Sequence, residues 1–128
     1  MKTAWLVDDD EEMARAIKLM LSLMDFEMVH FINARSATQK LLTDTIPDIL
    51  ILDVSMPEVS GMDMLEFIRR RKELNKLPIV MLSNEFAETQ IYAALEMGAD
   101  AYVTKPATLE DLESAIKDAF RTKGRRRA

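Results

Sequence analysis

The sequence predicts an α/β fold, a doubly wound five-stranded parallel sheet, and three observations carry that prediction. Short apolar runs recur five times, at residues 4–7, 28–32, 49–52, 79–82 and 101–104. Apolar residues return at helical spacing after each run. The run Ile49-Leu50-Ile51-Leu52 is apolar on both pleat faces, as a central parallel strand covered by helices on both sides must be. Strand and helix in strict alternation imply right-handed crossovers, and the common order for five such strands is 2-1-3-4-5.

Composition bounds the alternatives. A chain of 128 residues fits one domain able to bury roughly two thirds of its unfolded surface. With 48% hydrophobic and 30% charged residues it reads as a globular, soluble domain, and no apolar run approaches membrane-spanning length. The apolar start is too short for an export signal and runs into Asp8, Asp9 and Asp10. No cysteine is present, which excludes disulfides, thiolate catalysis and thiolate metal sites and makes a cytoplasmic location the default. Five of the seventeen lysines and arginines fall in residues 121–128, where no acid occurs, so the first 120 residues hold twelve bases against twenty-two acids. An acidic body argues against nucleic-acid binding by the fold itself. Residues 1–120 are therefore expected to form the domain, with residues 121–128 a basic tail or the start of a linker.

In chain order, residues 4–7 form the first strand, and Met13, Ile17, Met20, Leu21 and Met24 place a helix behind the acidic triplet, whose charge suits a helix start. His30 interrupts the second strand, which suggests an edge position. No second histidine exists to make a metal pair with it, and it reads as an edge-strand surface side chain. Ala37, Leu41 and Leu42 mark a short second helix. After Asp53, Pro57 and Gly61 turn the chain out of the sheet into a third helix with Met64, Leu65 and Ile68 inward. That helix ends in Arg69, Arg70, Arg71 and Lys72, read as a solvated basic end complementing the dipole. The fourth strand closes on Ser83. The fourth helix, with Ile91, Leu95 and Met97, stops at Gly98, a left-handed C-terminal cap. The fifth strand ends at Lys105 and Pro106. Thr108 and Asp111 have the spacing of a capping box before a last helix with Leu109, Leu112, Ile116 and Phe120 inward.

In the expected strand order, Asp8 and Asp9 after strand one and Asp53 after strand three converge at the carboxyl edge, where open parallel sheets bind ligands. Ser83 and Lys105 end the neighbouring strands on the same edge. Each has an ordinary explanation: a strand-ending aspartate, an acidic helix start, a strand cap, a surface lysine. All of them at one edge point instead to a site. Carboxylates about 4 Å apart repel by roughly 4 kcal/mol at an effective dielectric of 20, so positive charge is expected among them. Lys105 supplies one unit, and an all-oxygen donor set suits a hard divalent cation, Mg²⁺ being the expected one. A cation, an ammonium and a hydroxyl around one aspartate are the parts for phosphoryl transfer to a carboxylate.

These motifs, Leu-Val-Asp-Asp after strand one, Leu-Asp-Val-Ser-Met-Pro around Asp53 with Gly61 beyond, Met-Leu-Ser ending strand four and Ala-Tyr-Val-Thr-Lys-Pro in strand five, resemble those of response-regulator receiver domains of two-component signalling, of the CheY type, from about Thr3 to Phe120. The resemblance implies the flavodoxin-like (βα)5 fold. It implies that Asp53 accepts phosphate, that Asp9, Asp53 and the carbonyl of Ser55 bind Mg²⁺ with Asp8 holding its waters, and that Lys105 and Ser83 contact the phosphoryl oxygens. It makes Tyr102 the aromatic switch and Lys105-Pro106 a cis peptide. It implies a signalling switch rather than an enzyme, fed by a sensor histidine kinase or phosphotransfer protein. Output would run through the face of the fourth helix, fifth strand and fifth helix, toward a partner or a second copy in a homodimer. Asn84 stands where the family usually has Ala, and Ala107 where Phe is frequent. Two rivals come from other classes. A dehalogenase-type phosphatase would use Asp8 and Asp10 but lacks its late acidic pair, since Glu110 and Asp111 open a helix. A receiver-shaped binding module would never turn over phosphate.

Overall fold

The computed structural model describes residues 1–43 and 45–122. Its elements are β1 (Lys2–Val7), α1 (Glu11–Leu23), β2 (Phe26–Phe31), α2 (Ala34–Leu41), β3 (Ile49–Asp53), α3 (Gly61–Arg69), β4 (Ile79–Ser83), α4 (Glu88–Met97), β5 (Ala101–Thr104) and α5 (Leu109–Thr122). All strands are parallel, in the order β2-β1-β3-β4-β5, as expected. A one-turn 3-10 helix at Lys72–Leu74 is an addition to the expected elements.

Side-chain alternation along the strands builds two cores. Leu6, Ile49, Ile51, Val80, Leu82 and Val103 face α1 and α5. Trp5, Val7, Leu50, Leu52, Ile79 and Met81 face α2, α3 and α4. Every residue of β3 and of β4 is buried, so truncating Leu52 to alanine would remove about 2–5 kcal/mol of stability.

Strand bounds differ from expectation mainly at the starts of β1 and β2, and β1 begins at Lys2, two residues early. β2 starts at Phe26, two residues early, because its register with β1 begins at Lys2 opposite Phe26. α2 begins at Ala34, where the Asn33 side chain accepts the Ser36 N–H, an N-cap that apolar spacing alone does not reveal. Gly98 has φ 121, in line with the cap expected there. Thr108 Oγ1 accepts the Asp111 N–H at 3.0 Å.

The basic cluster after α3 divides. Arg70 and Arg71 pair with Glu66 and Glu73 at exposed or half-exposed positions. Arg69 overturns the solvated-end reading for itself: its side chain is 9% exposed and pairs with Asp100 at 3.2 Å. The tail from residue 123, including Arg125, Arg126 and Arg127, lies outside the described residues. Among the described residues no helix is long and apolar enough to cross a membrane.

Candidate functional site

Only three polar residues among those described are fully buried: Asp8, Asp53 and Ser83. All three stand at the carboxyl ends of adjacent strands, β1, β3 and β4. The sheet ladder fixes each one. The Asp8 N–H donates to the Phe31 carbonyl at 3.0 Å, continuing the β1–β2 pairing past Val7, and the Val54 N–H donates to Leu82 just beyond Asp53. The Lys105 N–H donates to the Ser83 carbonyl at 2.7 Å, so the lysine leaves β5 beside Ser83. The Lys105-Pro106 peptide is cis.

Gly61 serves this geometry by lacking a side chain. Its N–H donates to the Val54 carbonyl at 2.9 Å, and a Cβ there would collide with the backbone carbonyl of Asp53. α3 can thus start directly against the end of β3.

Carboxylate oxygens of Asp8, Asp9 and Asp53 lie within 4.8 Å of one another. Asp9 is exposed at the rim. Asp8 and Asp53 are 0% and 3% exposed. Lys105 Nζ lies 3.1 Å from Asp8 Oδ2 and 3.4 Å from Asp53 Oδ1. One ammonium therefore serves two of the three carboxylates, and Asp9 has no ion pair with it. The Asp10 N–H donates to Asp8 Oδ1 at 2.9 Å. Asp8 Oδ2 has the ion pair with Lys105 but no well-angled hydrogen bond. Asp10 itself caps α1, accepting from the N–H groups of Glu12 and Met13. The acidic triplet is thus part helix cap, part site.

Burial first, and then the Asp8 charge, push the Asp53 carboxyl up from 3.8 to about 6, with Lys105 and a Ser55 N–H pulling it back. Burial works against the Lys105 ammonium. Its contacts with Asp8 and Asp53 outweigh that, and its pKa rises above the ordinary lysine value. The Lys105 shift and the Asp8 share of the Asp53 shift both report neighbouring negative charge.

A buried oxygen lacking a hydrogen bond, hard donors without nitrogen or sulfur, and that excess charge together fit a hard divalent cation. Ser55 is exposed and follows Asp53 on the loop that opens onto a cleft of about 640 Å³, lined also by Met56, Glu85 and Gln90.

Ser83 Oγ accepts the Glu85 N–H at 3.0 Å, and the Tyr102 hydroxyl donates to the Glu85 carbonyl at 3.1 Å. Both expected switch side chains hold one backbone residue. The half-buried Tyr102 ring packs against the core under α2, α3 and α4. Sequence reasoning missed the part played by Glu85, which acts through its backbone. His30 stands on the edge strand β2, as expected, but sequence reasoning did not foresee its contact: the ring is half-buried, with Nε2 at 2.7 Å from the Asp8 carbonyl. His30 braces the acidic loop from β2, and only its alternation position, one residue before the end of the strand, could have hinted at that.

A parallel sheet with an acidic carboxyl-edge pocket, a lysine facing it from the end of β5 and a hydroxyl from β4 is the arrangement that the resemblance of the motifs implies. The comparisons carry this to a family. Residues 4–117 match the response regulator receiver domain, and the chain belongs to that family. It is 33% identical over 116 residues to the phosphate regulon transcriptional regulatory protein PhoB of Rhizobium meliloti, covering 91% of this chain and 51% of that protein. It is 30% identical over 113 residues to the chemotaxis protein CheY1 of Helicobacter pylori, covering 88% of this chain and 91% of that one. The crystal structure of a response regulator from Chloroflexus aurantiacus superposes with a TM-score of 0.86 at 28% identity, over 94% of this chain and 98% of that chain. The chain thus spans about half the length of the PhoB regulators it matches. Membership of this family removes the dehalogenase-type phosphatase reading.

Proposed function

We propose that the chain is a phosphorylation switch in which Asp53 accepts a phosphoryl group from a phosphohistidine of a sensor histidine kinase or phosphotransfer protein. The observation that carries this reading is the charge imbalance around Asp53: three carboxylate groups within 4.8 Å facing the single Lys105 ammonium. Such a pocket is organised to receive positive charge and a group that needs it.

Asp9, Asp53 and the Ser55 carbonyl would hold Mg²⁺, with Asp8 orienting its waters, and the bound ion would neutralise charge on the transferring phosphoryl group. An Asp53 carboxylate oxygen attacks phosphorus in line as the nitrogen–phosphorus bond of the donor breaks and its electron pair leaves with the histidine. Lys105, already between Asp8 and Asp53 at 3.1 and 3.4 Å, turns its ammonium to the phosphoryl oxygens. Ser83 donates its hydroxyl to another of them, and in doing so leaves the Glu85 N–H it now accepts from. Tyr102, tied to the Glu85 carbonyl, feels that movement. The changed surface lies between α4, β5 and α5, where a partner, a second copy or an output domain would read it.

In this reading residues 1–120 are the regulatory unit and residues 121–128 a tail or linker start. The chain assists its own phosphotransfer and dephosphorylation but turns over no separate substrate. It works in the cytoplasm and contacts neither nucleic acid nor membrane directly. Incubation with acetyl phosphate and Mg²⁺ should add one phosphoryl group to the intact mass, and Asp53→Asn should abolish the addition. Undiminished labelling of that variant would move the acceptor elsewhere. Absence of labelling in the unaltered chain, from acetyl phosphate and from phosphohistidine alike, would favour a binding module that never takes up phosphate.

A further inference from the structure

α4 is the least embedded helix of the fold. Of its ten residues only Ala94 is buried, and no side chain caps its start at Ala87. Phe86, Tyr92 and Leu95 are exposed, Tyr92 by 69%. Between α4 and α5 a groove of about 490 Å³ runs over β5, with Ile91, Leu95 and Tyr102 in its lining and Asp111 and Asp118 on the α5 side.

The groove's lining holds Asp100, Asp111 and Asp118 and no lysine, arginine or histidine, with Asp100 paired to Arg69 and Asp118 to Arg121. Glu88, Tyr92 and Glu96 repeat every four residues on α4, so they form one stripe beside Ile91 and Leu95. α4 contains no lysine, arginine or histidine. On α5, Asp111 and Asp118 border the groove, while Lys117 lines a different one, toward α1. Arg121 is held by Asp118 at 2.7 Å. Exposed apolar anchors between acidic walls define what fits there.

We propose that this groove binds a lysine- or arginine-rich segment of a partner protein that carries one or two apolar anchors, in preference to a second copy of this chain. A two-fold pair built on this face sets like elements against each other. Both copies would bring to the seam an α4 with Glu88 and Glu96 and no basic residue, together with Asp111 of α5, and like charges facing across an interface are costly. A basic segment neutralises both walls while its anchors cover Tyr92 and Leu95. The inference names the partner for the output face of the proposed switch and rests on that reading, but binding and its dependence on phosphorylation are measured separately.

The full chain would be titrated with two synthetic amphipathic helical peptides of equal length, one of leucine and lysine, one of leucine and glutamate, following amide shifts by NMR and affinity by calorimetry. The leucine–lysine peptide should bind, with shifts concentrated in residues 86–104 and 111–118. The double variant Glu88→Lys with Asp111→Lys, both at exposed positions, should weaken it at least tenfold, and Tyr92→Ala should weaken it as well. The leucine–glutamate peptide should not bind. Equal binding of both peptides, unchanged affinity in the double variant, or shifts spread equally over the α1–α5 groove, whose rim carries both signs at Lys2, Asp25, Glu113 and Lys117, would overturn the proposal. So would a dimer in sedimentation velocity that Tyr92→Glu dissociates. Groove binding of the basic peptide that ignores beryllium fluoride supports the groove assignment and counts against the switch alone.

Discussion

Two buried charge clusters sit at opposite edges of the same sheet, and they are built on opposite rules. At the amino edge, Arg69 donates Nε to the Gly98 carbonyl at 2.9 Å, Nη1 to the carbonyls of Leu74 and Asn75, and Nη2 to Asp100 Oδ2. Asp100 in turn accepts the Ile79 N–H at 2.8 Å and the Thr122 hydroxyl at 2.7 Å. Among the described residues one cation meets one anion here, and backbone groups and a hydroxyl take further bonds. At the carboxyl edge, Asp8 and Asp53 share Lys105, and a third carboxylate, Asp9, stands within 4.8 Å of theirs. Burial of charge is common to both. Imbalance belongs to one, and it is the imbalance that leaves something for a ligand to do.

The largest effect should come from spoiling the balanced cluster. Arg69→Met leaves Asp100 buried with a negative charge and withdraws the brace that joins α3, the end of α4 and the starts of β4 and β5. Removing one partner of such a pair costs about 3–5 kcal/mol, a drop in melting temperature on the order of 10 °C for a domain this size. Urea unfolding would measure it. A loss under about 1 kcal/mol would mean that the amino-edge cluster does not hold the fold together.

The same kind of change at the imbalanced cluster should have the opposite sign. Asp53→Asn removes a charge that the fold disfavours, so the variant should be more stable than the unaltered chain in metal-free buffer. The pH dependence follows from the raised carboxyl. With a pKa of about 6 in the fold against the ordinary carboxyl value of 3.8, the folded protein holds the Asp53 proton more tightly. That stabilisation is complete below about pH 4 and is lost as pH rises through 6. The gain of Asp53→Asn should therefore be near zero at pH 4 and reach about 1–3 kcal/mol at pH 7.5. A gain that is flat with pH would show that charge is not the cause.

A cation should repair the imbalance in the unaltered chain. Ligand binding only to the folded state stabilises by about 1.4 kcal/mol at ten times its dissociation constant, so millimolar Mg²⁺ should raise the melting temperature by a few degrees. Asp9→Ala, at an exposed position, should lose most of that response without unfolding. Arg69→Met should keep it. Equal Mg²⁺ stabilisation in Asp9→Ala and the unaltered chain would argue against an acidic metal pocket.

The two edges were not equally legible in the sequence. Asp53, Ser83 and Lys105 stand out because each ends an apolar strand with a polar group, and strand order alone gathers them with Asp8. Arg69 was taken for a solvated helix end because its partners, Gly98 and Asp100, lie 29 and 31 residues away and carry no local pattern. His30 was legible as an edge-strand residue, but its contact was not, its partner being a backbone carbonyl 22 residues earlier. Periodicity reveals which side chains are buried. It is silent on which backbone groups they satisfy, and satisfaction is what separates a structural cluster from a site.

That distinction gives the smallest and most specific test, at Ser83. Its hydroxyl is buried and accepts the Glu85 N–H at 3.0 Å, while Tyr102 holds the carbonyl of the same residue at 3.1 Å. Ser83→Ala leaves that N–H without its partner and should cost only about 1 kcal/mol, far less than the loss of Arg69. Asp53 keeps its carboxyl, its lysine and its acidic neighbours, so the variant should still take up phosphate. What it should lose is the link outward. A hydroxyl bonded to a charged phosphoryl oxygen is worth roughly 1.5–3 kcal/mol, enough to shift a two-state equilibrium at Glu85 and Tyr102 by tenfold or more. Amide spectra of both proteins with and without beryllium fluoride would separate the two roles. In the unaltered chain the perturbation should run from residue 84 to residue 105, and in Ser83→Ala it should shrink to the neighbourhood of Asp53. The full perturbation in the variant would mean that the signal leaves the pocket by another route, with Lys105 and β5 the next place to look.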